Sequence, residues 1–163
     1  MQLHLEGFEE VNLPRERVFQ LVTDSAFIAK SLPDAEESRV IDESNLEAKM
    51  KIKVTFLTTK MAVKMRIEDR VPPGHARLYV EGSGSGSNMK ITSDFNLREG
   101  ATASTTKMNW AADAEITGVM SGIGSTVLKG FAEKKVKEIF QGLEAAMVQA
   151  SSGSGGSADA GQK

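Results

Sequence analysis

The sequence predicts an α+β helix-grip: a seven-stranded, curved antiparallel sheet, two short helices, and a long C-terminal helix over a hydrophobic cavity. Three observations predict it. Apolar and polar residues alternate through the middle of the chain, as in antiparallel strands with one face buried and one wet. After Gly118 the apolar period becomes helical and holds as far as Met147. Ahead of the alternating region lie two helical patterns too short to cover a sheet, though able to close one end of it. The long helix is the only element large enough to serve as cover, and such a grip tends to enclose a cavity.

In chain order, Leu3 and Leu5 alternate with Gln2, His4 and Glu6 as a first strand, which Gly7 interrupts as a bulge would. Pro14 stands at a favoured first helical position and opens PRERVFQLVTD, where Val18, Leu21 and Val22 share a face. The second helix, SAFIAKSL, carries Phe27, Ile28 and Leu32 and is stopped by Pro33. Met50, Ile52, Val54 and Phe56 then take even positions between lysines. After a turn or bulge near Leu57–Lys60 the apolar parity passes to Met61, Val63, Met65 and Ile67. Pro72-Pro73-Gly74 breaks the chain, Leu78 and Val80 resume it, and GSGSGS over 82–87 reads as a flexible connection. Met89, Ile91, Phe95 and Leu97 follow; Arg98-Glu99-Gly100 is a turn; and Thr106, Met108, Trp110, Ala112 and Ile116 complete the sheet. In the long helix, Val127, Leu128, Phe131, Val136, Phe140, Leu143 and Met147 mark one apolar stripe. The folded domain is expected over 1–150. The Ser/Gly/Ala stretch 151–163 is expected to be a disordered tail, because it has too little apolar surface to offset its ordering entropy.

Composition narrows the function classes. The chain has 163 residues, 40% of them hydrophobic, a length typical of one domain and able to bury about two-thirds of its unfolded surface. With no cysteine, disulfides, thiolate nucleophiles and Cys-ligated metal sites are excluded. Twenty Lys and Arg against 22 Asp and Glu remove bulk positive charge as an argument for nucleic acid. No apolar run approaches a membrane span, and MQLHLEGFEE has neither the basic nor the apolar region of a signal peptide, so a cytoplasmic domain is expected.

Five of the eight methionines, Met50, Met61, Met65, Met89 and Met108, fall on inward sheet positions. Methionine is flexible and polarizable and suits a surface that accepts varied apolar shapes. A Met-rich packed core is the competing explanation, weakened because one helix does not easily fill a seven-stranded grip. The candidate cavity is lined by Met50, Ile52, Val54, Met65, Ile67, Leu78, Val80, Met89, Ile91, Phe95, Met108, Trp110, Ile123, Val127 and Phe131. Outward, Lys49, Lys51, Lys53, Lys64 and Arg66 form a basic stripe that could dock an acidic protein or anionic headgroups. Cross-strand pairing with the preceding acidic segment, Glu36 to Glu47, is the plainer account of that stripe. Catalytic signals are weak. His4 and His75 lack metal or triad spacing, Asp94, Asp113 and Glu115 alternate outward, and GSGSGS lacks the ending of a phosphate loop. No catalytic residue, metal or cofactor is expected.

The residues also carry a family likeness. Gly7 to Phe19 reads G-F-E-E-V-N-L-P-R-E-R-V-F, followed by L-P-D at 32–34, V-P-P at 71–73 and E-G-S-G-S-G at 81–86. The longest stretch, W-A-A-D-A-E-I-T-G-V-M-S-G-I-G at 110–124, runs into L-K-G-F-A-E-K-K at 128–135 and I-F at 139–140. Over about residues 2–147 the chain resembles the carbon monoxide dehydrogenase G-subunit family. That family lies within the START-like (SRPBCC) superfamily, which also holds the birch-pollen-allergen and polyketide-cyclase types. The resemblance implies a helix-grip with a hydrophobic cavity under the C-terminal helix. It also implies a non-catalytic accessory role beside a molybdenum-containing carbon monoxide dehydrogenase-type enzyme, through membrane recruitment or quinone handling. Phe19 stands where the family usually has Trp, Asp34 where Gly commonly follows the Pro, and a Ser/Gly tail where many members carry a membrane-anchoring extension. The leading expectation is therefore a binding protein for an apolar, lipid- or quinone-like molecule. The alternatives are a docking protein without ligand, or an enzyme of the cyclase or dehydratase type, which would need an inward-facing acid or base.

Overall fold

The alternating segments pair into one antiparallel sheet of seven strands. In the computed structural model, which describes residues 1–32 and 34–157, the strands are β1 (Gln2–Val11), β2 (Ala35–Asp42), β3 (Asn45–Val54), β4 (Leu57–Val71), β5 (His75–Gly84), β6 (Ser87–Glu99) and β7 (Thr106–Gly118). Their order is β1-β7-β6-β5-β4-β3-β2, so β1 and β2 are the edges. The helices are α1 (Arg15–Val22), α2 (Ser25–Ser31) and α3 (Ser125–Ser157), with a 3-10 turn over Val119–Ile123 leading into α3. Helix α3 thus runs on over the start of the Ser/Gly stretch. The remainder of the expected tail, 158–163, and the expected helix stop at Pro33 lie outside the described residues.

Four local readings are corrected. Gly7 is no bulge: it pairs in unbroken register with Trp110, and a Cβ built on it would stand 2.5 Å from the indole ring. The residue is small because the indole lies on it. The β3–β4 turn is at Thr55-Phe56, ahead of the expected position, with Val54 opposite Leu57, so Leu57–Lys60 is already strand. Phe56 continues the even parity of β3 in sequence, yet it occupies the turn and is 93% exposed. The GSGSGS run is mostly strand as well: only Ser85 and Gly86 turn the chain, with φ values of 52° and 76°. Arg98 and Glu99 belong to β6, and the turn follows them.

The two short helices close one end of the sheet. Asp24 caps α2 by accepting a hydrogen bond from the Ala26 amide at 3.0 Å. Arg70 reaches from β4 to the Thr23 carbonyl at 2.9 Å and the Ser44 hydroxyl at 2.8 Å, tying the α1–α2 junction to the β2–β3 hairpin. Under these helices Val18, Phe19, Leu21 and Val22 meet Val11, Ile67, Leu97, Met108 and, from α3, Met147, all buried.

Helix α3 reaches towards both edges of the sheet. Its backbone comes close to β1, α2 and the 3-10 turn, and not comparably to the central strands among the described residues. On the other side Lys135 forms an ion pair of 3.0 Å with Asp34, just ahead of β2. Burial pulls the Lys135 pKa down, but Asp34 and Glu138 more than offset that and hold it above the ordinary lysine value. In the covered half, the Trp110 ring stacks on Phe140 of α3 with centroids 5.8 Å apart.

The seating of the indole gives a test. Gly7→Ala places a methyl group 2.5 Å from the indole ring, well inside van der Waals contact, and should cost about 1–3 kcal/mol, as overpacking does. Urea denaturation checks this; an unchanged midpoint would mean that Trp110 is not held against β1.

Candidate functional site

The inner face of the sheet is organised in cross-strand rows. One row runs Leu46–Met65–Val80–Ile91–Ala114–Leu3 through six strands. Leu46, Val80 and Leu3 are buried, but Met65 and Ile91 are only half-buried. A second row, Ala48–Val63–Gly82–Met89–Ile116, lies one step nearer the β3–β4 hairpin. At its centre the methyl ends of Met89 and Met61 lie 3.2 and 3.4 Å from where a Cβ on Gly82 would stand. Two unbranched thioether chains therefore occupy the space that a side chain at Gly82 would take, and such chains change rotamer readily.

This divides the molecule into unequal halves. Beneath α1 and α2 the apolar side chains are mostly buried. Towards the start of α3, a cluster built on Leu3, Val54, Met61, Val63, Val80, Ile116, Met120 and Leu128 is flanked by half-buried Met50, Ile52, Met65, Leu78, Met89, Ile91, Ile123 and Phe131. Apolar side chains in the middle of a sheet face, with a helix across that face, stay partly accessible only if the helix leaves room between them. The arrangement is an apolar groove between the central strands and the first turns of α3.

Of the residues expected to line a cavity, Met50, Ile52, Val54, Met65, Leu78, Val80, Met89, Ile91, Ile123 and Phe131 meet in this half. Ile67, Phe95 and Met108 belong to the cluster under the short helices, and Leu78 touches both. Trp110 is 9% exposed, packed between Gly7 and Phe140, and its indole nitrogen has no hydrogen-bond partner among the described residues. Val127 points outward at 43% exposure. Met1, Met120 and Leu128 also join the groove. Met120 escapes a periodicity argument because it sits in a 3-10 turn, where neither strand nor α-helix spacing applies.

The basic residues of the stripe on β3 and β4 stand on the outer face. Lys49 reaches Glu37 at 3.6 Å, Lys60 reaches Glu36 at 3.9 Å, and Arg66 pairs with Glu68 while lying 4.7 Å over the Tyr79 ring. Lys64 lies in the field of Glu47. Lys51 and Lys53 have no partner among the described residues. Two open clefts of about 340 and 430 Å³ share Lys90 and Thr92 on this outer face, with mixed charge and no convergent chemistry.

His4 is exposed and bonded to Asp113 at 2.7 Å and Glu6 at 3.1 Å, contacts that raise its pKa. His75 lies against Asn96 at 3.2 Å. Among the described residues no three His, Asp or Glu side chains are grouped as metal ligands. One acid outside the residues singled out by sequence faces inward: Glu9 takes the inner parity of β1, half-buried beside α3. Burial pushes its pKa up, Glu144 adds to this, and Lys137 opposes it. Its register partner is Met108, at the closed end of the sheet rather than in the groove.

A curved seven-stranded antiparallel sheet holding a long C-terminal helix over an apolar face defines a START-like helix-grip fold. The chain belongs to the carbon monoxide dehydrogenase G-subunit (CoxG) family, whose model matches residues 7–148. Among solved structures it is similar to a conserved protein from Geobacillus kaustophilus, with TM-score 0.82 at 21% identity over 91% of this chain and 97% of that one. A START superfamily protein from Mycobacterium smegmatis gives TM-score 0.68 at 12% identity, covering 90% and 98%. The Zhui aromatase/cyclase from Streptomyces sp. R1128 gives 0.65 at 11%, covering 91% and 95%. No curated protein matches the sequence. No helix among the described residues is long and apolar enough to cross a membrane.

Glu9 provides a pH test. Its folded-state pKa lies above the ordinary value of 4.5, so the ionised form opposes folding and stability falls as pH rises through the carboxylate range. Glu9→Gln should therefore raise Tm at pH 7, with the difference closing below pH 4.5, where both side chains are neutral. Thermal melts across that range check it; a variant less stable at pH 7 would contradict the assignment.

Proposed function

We propose that the protein binds an apolar small molecule, lipid- or quinone-like, in the groove between the central strands and the start of α3. The role is non-catalytic, as an accessory to a carbon monoxide dehydrogenase-type molybdenum oxidoreductase. The observation that carries the ligand reading is the partial burial of Met65 and Ile91, neighbours of buried Val80 at the centre of the inner face. A finished core would bury them as well. Affinity would come from area removed from water, about 2.5 kcal/mol for each 100 Å² of apolar surface before the cost of association. Methionines at Met50, Met65 and Met89 let the groove adjust to ligand shape. The family membership supports the accessory role; the absence of an acid or base among the groove residues named above favours binding over catalysis.

Filling the groove tests the reading. Ile91→Trp should lower uptake of a fluorescent fatty-acid probe at least about tenfold, equal to about 1.4 kcal/mol, while leaving Tm within a few degrees of wild type. Titration of both proteins with the probe is the measurement. Saturable uptake that Ile91→Trp leaves unchanged would place the ligand elsewhere, and a wild type that takes up no probe would reject the reading.

A further inference from the structure

Along the groove the inner face carries almost no hydrogen-bonding side chain. One row from Met65 and Ile91 towards the short helices runs Ile67–Leu78–Ser93–Ala112–Leu5, and the next is Ala76–Phe95–Trp110–Gly7. In these two rows and the two described above, only Ser93 and Trp110 have a side-chain O–H or N–H. The Trp110 nitrogen lies against Gly7, closed off from solvent. Ser93 differs. It is 7% exposed, and its hydroxyl has no hydrogen-bond partner among the described residues, yet the oxygen is not sealed in as the indole nitrogen is.

The surroundings of that hydroxyl leave space in front of it. Ala112, its register partner, and Ala114 in the next row are half-buried on an interior strand, and Leu78 and Phe95 are half-buried beside them. Side chains as small as alanine keep that exposure under a helix only where nothing fills the volume above them. Leu78, the partner of Ser93 on β5, packs against both apolar clusters, which puts Ser93 at the inner end of the groove. A buried hydroxyl without a partner costs free energy that an alanine at the same position would not. The fold alone gives no reason for serine here; a ligand atom would.

We infer that Ser93 anchors the ligand by donating its hydroxyl proton to a neutral carbonyl oxygen, with the apolar remainder lying over Ile91, Met65 and Met89 towards the β3–β4 hairpin. The chemistry of a lone hydroxyl selects that class. An ionised carboxylate needs a cation or several donors when it is buried. The four rows hold no charged side chain, and Lys135 on α3 is already paired with Asp34 and Glu138. An alcohol brings a donor of its own, so one of the two O–H groups would be left without an acceptor. A carbonyl accepts the serine proton and leaves no donor unsatisfied. From Ser93 to Met89 is about 13 Å of strand, which sets the length of the apolar body beyond the head. The inference rests on the apolar-ligand reading, to which it adds the head group, its depth and its direction.

Competition among three matched naphthalenes tests it: methyl naphthyl ketone, the corresponding secondary alcohol and ethylnaphthalene, each displacing the fluorescent fatty-acid probe. Ser93→Ala should weaken the ketone about fivefold, equivalent to one neutral hydrogen bond, while ethylnaphthalene binds the variant at least as tightly. The alcohol should lose less than the ketone. The probe itself should bind both proteins alike, because its carboxylate stays at the mouth and only its chain enters. In thermal melts the variant should be no less stable than wild type, as expected when an unpartnered hydroxyl is removed. The infrared carbonyl stretch of the bound ketone should lie lower in wild type than in Ser93→Ala, the signature of the hydrogen bond. Equal weakening of all three ligands, or no weakening of the ketone, overturns the proposal. So does a carbonyl stretch that the substitution leaves in place. A wild type that takes up the probe but fails these comparisons keeps the groove and loses the anchor. One that takes up neither probe nor naphthalenes loses both.

Discussion

Width is the constraint on which the rest depends. Seven strands spaced about 4.8 Å apart make a sheet about 29 Å across, while a helix with its side chains is about 10–12 Å wide. One helix therefore cannot cover the inner face from edge to edge. The structure meets the mismatch unevenly: α1 and α2 help to cover one end, and the other is left to the beginning of α3 and a short 3-10 turn. The closed end makes the fold; the open end leaves apolar surface available.

Holding the helix in that position takes specific contacts. Along β1 the indole of Trp110 rests on Gly7 and stacks on Phe140, so the absence of one side chain permits helix and strand to share a large aromatic ring. Near the opposite edge, Lys135 reaches Asp34, a partly buried pair stronger than an exposed one of the same length. The Asp34 side chain thus fastens α3 to the segment before β2.

Much of this was legible in the residues. Period-two alternation with a parity change at a hairpin fixes strands and faces, and the shift to helical spacing after Gly118 fixes the cover. The family likeness, carried by Trp110 through Gly124 above all, is shown by the match over residues 7–148. What escaped has physical reasons. Phe56 continues an even-numbered series, and parity alone does not reveal that the strand ends at Val54 and a two-residue turn follows it. The Gly/Ser run suggests a flexible connection, but glycine also suits a strand whose neighbours, Met61 and Met89, fold across the vacant position. Gly7 suggests a bulge because the indole opposite it is distant in sequence. The inward candidates shared one parity, yet burial separated them: Ile67 and Met108 lie beneath the short helices, while Met65 and Ile91 lie where the helix does not reach. Alternation encodes the face of a residue but carries no information about how well that face is covered.

The central claim is that the half-covered end holds an apolar molecule. Native mass spectrometry of the protein purified gently from its own source, followed by solvent extraction of lipids and quinones, tests it most directly. The account predicts one apolar molecule per chain, released on unfolding. An empty protein that also refuses lipids and quinones added in vitro would contradict it.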